Sequence, residues 1–81
     1  MNLLEKGFTQ IETGFEHTVK FEFEGRTFSA LVIETENETY VQDCFEVQEN
    51  NFPIDIPKYF GQFSGDVFAF IYDNIQRGFP A

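Results

Sequence analysis

Val19-Lys20-Phe21-Glu22-Phe23-Glu24-Gly25-Arg26-Thr27-Phe28-Ser29-Ala30 is the stretch on which the fold turns. Val19, Phe21 and Phe23 alternate with Lys20, Glu22 and Glu24, the two-residue period of a strand with one buried face. Glu24-Gly25 supplies the turn, since glycine takes positive φ without a steric penalty. Folding the two arms about it sets Phe21 opposite Phe28 and Val19 opposite Ala30, with His17 reaching Val32. Apolar residues then meet on one face, as a hairpin requires.

Outward from this hairpin, the β-branched and aromatic run continues to Thr35, and Glu36-Asn37-Glu38 forms a second turn. A third strand follows from Thr39 to about Gln48. In it Val41, Phe45 and Val47 share one parity with Asp43, so a carboxylate points at the core unless a bulge resets the alternation. Upstream, Phe8 to Thr13 reads as an edge strand ended by Gly14, with residues 2–6 open to a short helical turn. Downstream, Asn50-Asn51 and Pro53 mark a loop, and Pro57 starts a helical turn that stops at Gly61.

The last segment changes period. Val67, Phe68, Ile71 and Ile75 fall within an arc of about 100° on a helix. Ser64 reads as its N-cap, Asp66 suits the first turn, Arg77 the last turn, Gly78 the C′ position, and Pro80 follows. The expected architecture is α+β over residues 1–81: a three- to four-stranded antiparallel meander packed against one C-terminal amphipathic helix, in a single domain.

Charge narrows the function. The chain has 81 residues with 14 acids against 5 bases, a net −9. Between Arg26 and Lys58 there is no base, while Glu34, Glu36, Glu38, Asp43, Glu46, Glu49 and Asp55 all fall there. Such a balance disfavours direct contact with nucleic acid or an anionic membrane, which needs clustered Lys and Arg. A lone Cys44 makes no internal disulfide, no apolar run approaches a membrane span, and the start lacks a signal-peptide core. These features point to the cytoplasm.

Enzyme chemistry finds little support. Cys44 sits among Asp43, Glu46 and Glu49, whose field raises a thiol pKa rather than lowering it. His17 reads as a strand residue, with no nucleophile at a recognisable spacing. Glu34-x-Glu36-x-Glu38 lacks the loop of a calcium site, and one His with one Cys does not build a zinc site, so neither metal nor cofactor is expected.

What remains is recognition. The 12 Phe and 3 Tyr are too many for so small a core, and roughly two to four aromatics are expected at the surface. The pool is Phe52, Phe60, Phe63, Phe70 and Phe79. Phe70 lies across the helix from Ile75. The expected site joins an acidic set, Glu34, Glu36, Glu38, Glu46, Glu49 and Asp55, to aromatic anchors Phe60, Phe63 and Phe70. Its partner would be a basic protein, such as a nucleic-acid-handling enzyme met by an inhibitor or DNA mimic. The alternative is a homo-oligomeric accessory domain whose charge serves solubility.

Overall fold

Glu24 (φ 51°) and Gly25 (φ 78°) both take positive φ, the pattern of the two-residue type I′ turn whose twist matches that of paired strands. The turn joins β2 (Gly14–Phe23) to β3 (Arg26–Thr35), with Phe21 opposite Phe28, Val19 opposite Ala30 and His17 opposite Val32. That register is the one the alternation requires. The structure, a computed structural model, describes residues 1–80.

Three further strands extend the hairpin into an antiparallel meander of order β1-β2-β3-β4-β5, with β1 at Asn2–Ile11, β4 at Thr39–Glu46 and β5 at Phe52–Pro53. The sheet thus has five strands rather than three or four. Residues 2–6 belong to β1 and form no helical turn: Leu3 pairs with Phe21 and Lys6 with Val19, with a register shift between Leu3 and Glu5. The turn before β4 is held by Thr35, whose Oγ1 accepts the Glu38 N–H at 3.1 Å while the Thr35 N–H donates to the Glu38 carbonyl at 2.7 Å.

A register shift in the β3–β4 pairing settles the parity of Asp43. Leu31 faces Asp43 but Val32 faces Val41, so Gln42 is the extra residue of a bulge. Past it the alternation inverts. Cys44 and Glu46 join Val41 on the helix side, while Asp43 and Phe45 turn to the other face, and Asp43 is exposed.

Both helices lie on one side of the sheet. α1 (Ile56–Phe60) and α2 (Ser64–Asp73) are joined by a 3-10 turn at Gly61–Phe63. Ile56, Phe60, Val67 and Ile71 pack on Val19, Phe21, Phe28, Ala30, Val32 and Cys44. Phe28 is the hub, its ring centroid 5.5 Å from Phe21 and 5.0 Å from Phe60. Fully burying a side chain of this kind is worth about 1.5–3 kcal/mol, so these few rings hold helix to sheet.

The helix ends differ from the sequence reading. Ser64 is no N-cap, because α2 continues directly from the 3-10 turn and its N–H donates to the Gly61 carbonyl. The helix stops at Asp73, where the Asn74 side-chain amide donates to the Phe70 carbonyl at 2.8 Å. Ile75, Arg77 and Gly78 therefore lie in the segment beyond the helix. No helix among the described residues is long and apolar enough to cross a membrane.

Candidate functional site

Alternation along β3 carries Phe28, Ala30 and Val32 into Glu34, which therefore faces the helices. Its side chain is 2% exposed. Oε1 accepts from His17 Nε2 at 2.9 Å and from the Gly78 N–H at 2.9 Å, and the Phe79 N–H adds another donor. Burial, the largest single influence, pushes the carboxyl pKa up, but the Gly78, His17 and Phe79 donors together outweigh it and hold it below the usual range. An ionised Glu34 accepts only, so Nε2 is the protonated nitrogen of His17.

This latch clasps the segment beyond α2 against the sheet. A Cβ on Gly78 would stand 2.3 Å from the Phe15 ring, and Phe15 meets Phe79 edge-on at 5.2 Å. Phe8 stacks on His17 at 5.6 Å. Glu34 is thus a buried structural acid and no part of an acidic surface. Its parity with Phe28, Ala30 and Val32 was the signal that could have shown this.

Glu46 is a second correction. The Gln42 bulge turns it inward to 8% exposure, where it accepts from the Tyr59 hydroxyl at 3.1 Å and lies 3.5 Å from Arg26 Nη1. Arg26 Nη1 also donates to the Tyr59 hydroxyl at 2.9 Å. The remaining acids are exposed but divided: Glu36 and Glu38 sit in the turn before β4, Glu49 and Asp55 beyond its other end. Eight extended residues separate the two ends by about 23 Å. The six acids do not form one row.

The aromatic anchors also divide. Phe60 is 6% exposed in the core. Phe70 is half-buried and packs on Phe21 at 5.7 Å rather than standing out as an anchor. The comparison with Ile75 misplaced it, because Ile75 lies outside the helix. Phe63 stays 41% exposed beside Phe23. Five aromatics are exposed (Phe8, Tyr40, Phe52, Tyr59 and Phe63), and Phe8, Tyr40 and Tyr59 were not in the expected pool.

What the fold does bring together is the other face of the sheet, which neither helix covers. By register Leu31 and Ile33 of β3 stand there beside Tyr40 and Phe45 of β4. Glu16 neighbours Ile33, Asp43 neighbours Leu31, and Glu5 and Glu22 lie farther along with Lys20. This is an apolar strip edged by four carboxylates and one ammonium, in which Tyr40 is exposed, Leu31 and Phe45 are half-buried and Ile33 is buried at 6% exposure. Sequence reasoning missed it because Phe45 was assigned to the core.

β4 also has an incomplete outer edge. β5 pairs only with Phe45 and Glu46, and the Ile54 N–H reaches the Cys44 carbonyl at 2.9 Å. From Thr39 to Asp43 that edge has no strand partner among the described residues. Beside it lies a groove of about 310 Å³, lined by Val41, Cys44, Pro53, Ile54, Ile56 and Phe68 with Asp43 and Asp55. Burial pushes the Cys44 thiol up to about 12, so it lines the groove as an apolar group. Among the described residues no three His, Cys, Asp or Glu side chains converge as metal ligands would.

Comparison with family models, with curated proteins and with solved structures finds no match for this chain.

Proposed function

We propose that the protein is an acidic binding module that docks on a basic protein through the uncovered face of its sheet. The observation that carries this reading is the strip of Leu31, Tyr40 and Phe45, packed over the buried Ile33 and bordered by Glu5, Glu16, Glu22 and Asp43. Apolar side chains supply the contact core, and carboxylates around them steer a positively charged surface into place and repel acidic competitors. Nucleic-acid-handling proteins are the commonest owners of such basic surfaces, so an inhibitor that occupies a nucleic-acid channel fits the charge. With Glu34 turned inward and Glu36 and Glu38 in a turn, this reading needs a charged rim, not a phosphate-like row.

The test is capture from lysate across a salt series, comparing the native chain with Glu16→Lys/Asp43→Lys. Basic proteins should be retained by the native chain, released as ionic strength rises, and lost with the double variant. Equal retention by both chains at all salt concentrations refutes the reading.

A second reading, a homo-oligomer without catalytic activity, is favoured by β1. This strand is exposed through nearly all its length, and Leu3, Leu4 and Phe8 are 38%, 49% and 45% exposed. Its two charges, Glu5 and Lys6, cancel, so two copies of the edge meet without the repulsion the rest of the surface imposes. Light scattering should then show a dimer that Phe8→Ser dissociates; a monomer at every concentration removes this reading.

A further inference from the structure

We infer that the open edge of β4 takes up an extended, basic segment of the partner as an added strand, with its side chains in the adjoining groove. This rests on the docking reading above and names the part of the partner that engages. Three observations converge on it.

The first is the edge. β5 covers β4 only at Phe45 and Glu46, and the chain then leaves the sheet for α1, so the backbone from Thr39 to Asp43 presents its outer N–H and C=O groups to no strand. An extended chain laid there continues the sheet where β5 stops and satisfies those groups. The second is the groove. Val41, Pro53, Ile54, Ile56 and Phe68 give it an apolar floor, and about 310 Å³ accommodates one or two aliphatic side chains from alternate positions of a guest strand. The third is charge. Asp43 and Asp55 are the only charged residues lining it. Both are exposed, and the Gln42 bulge is what turns Asp43 away from the core. A guest with alternating apolar and basic residues places the former on the floor and the latter beside the two carboxylates, whereas an acidic guest is repelled.

The experiment titrates the whole protein with a synthetic peptide alternating Val and Lys over about seven residues, long enough to run beside Thr39 to Asp43. Two controls share its pattern, one with Glu for Lys and one N-methylated at alternate backbone amides. Amide exchange and chemical shifts of residues 39–42 are read by NMR. The Val/Lys peptide should slow exchange there by tenfold or more at saturation. The N-methylated peptide should leave those amides unprotected, since it keeps charge and apolar surface but loses the backbone donors. Asp43→Asn/Asp55→Asn should weaken Kd by about three- to tenfold at low salt, as two exposed charge pairs allow. Equal protection by the N-methylated or the Glu peptide overturns strand addition. Binding that perturbs only Leu31, Ile33 and Phe45 also overturns it while leaving the docking face standing; no perturbation at either place overturns both.

Discussion

Replacing Glu34 by alanine removes the one acceptor shared by His17 Nε2 and the Gly78 N–H, each at 2.9 Å, and by the Phe79 N–H. With the carboxylate gone, a 1% exposed imidazole loses its partner and the segment beyond α2 loses its anchor. Leaving the buried His17 and half-buried Gly78 donors without their charged acceptor costs about 1–3 kcal/mol each. A domain of this length has a total stability of about 4–12 kcal/mol, so the loss is a large part of the whole. It corresponds to a fall in Tm on the order of 15–30 °C. Urea titration should show a lower midpoint at unchanged slope, and the Gly78 and Phe79 amides should lose protection from exchange. Acid offers a second measurement. Because the folded pKa of Glu34 lies below its unfolded value, its contribution is complete above the ordinary carboxylate range and is lost as pH falls through the folded pKa. Stability should therefore drop on acidification below about pH 4.3, and Glu34→Gln should abolish that component. A loss under about 1 kcal/mol for Glu34→Ala, with the Gly78 amide still protected, refutes the latch.

Three other outcomes follow from geometry. Glu24→Asn should raise stability by about 0.5–1 kcal/mol in urea titration, because Asn tolerates the positive φ at this turn position better than Glu. Gly14→Ala should cost more than about 2 kcal/mol, since its Cβ would lie 2.0 Å from the Glu34 carbonyl oxygen, while Gly7→Ala, with nothing within 4 Å, should stay within about 0.5 kcal/mol on the same curves. Cys44, buried and with its thiol held up to about 12, should resist a disulfide reagent at pH 8 until denaturant unfolds the protein, so that labelling tracks unfolding.

The elements legible in the sequence are those with a clean alternation. Val19, Phe21 and Phe23 against Phe28 and Ala30 fix the central hairpin, because shifting the register by one residue would bury Lys20 and Glu22. β1 was only half legible, since no helix covers its inward side and Lys6 and Gln10 therefore share that side with Phe8. β4 misled through a single inserted residue: Gln42 inverts the alternation, and nothing local in Val41-Gln42-Asp43-Cys44 announces it. The end of α2 was overrun because Ile75, Arg77 and Gly78 fit a helical pattern, yet the Glu34 carboxylate draws the Gly78 and Phe79 amides elsewhere. The uncovered face of the sheet followed β4 into error, as Phe45 and Asp43 exchange sides with Cys44 and Glu46.

The latch also imposes an order on folding. Neighbouring strands of the meander are joined by short turns, so their contacts close small loops quickly. Glu34 and Gly78 stand 44 residues apart, and closing a longer loop costs only about 0.6 kcal/mol for each doubling of its length. The helix–sheet contacts span as much of the chain, Phe21 and Phe70 among them, but they build the apolar core, whereas Gly78 and Phe79 lie half-buried beyond the last helix. The segment carrying Gly78 and Phe79 is therefore expected to close over Glu34 and His17 after that core has formed. On the way out the same segment is expected to detach first, at a cost below that of global unfolding, which would let water in beside the one histidine of the chain.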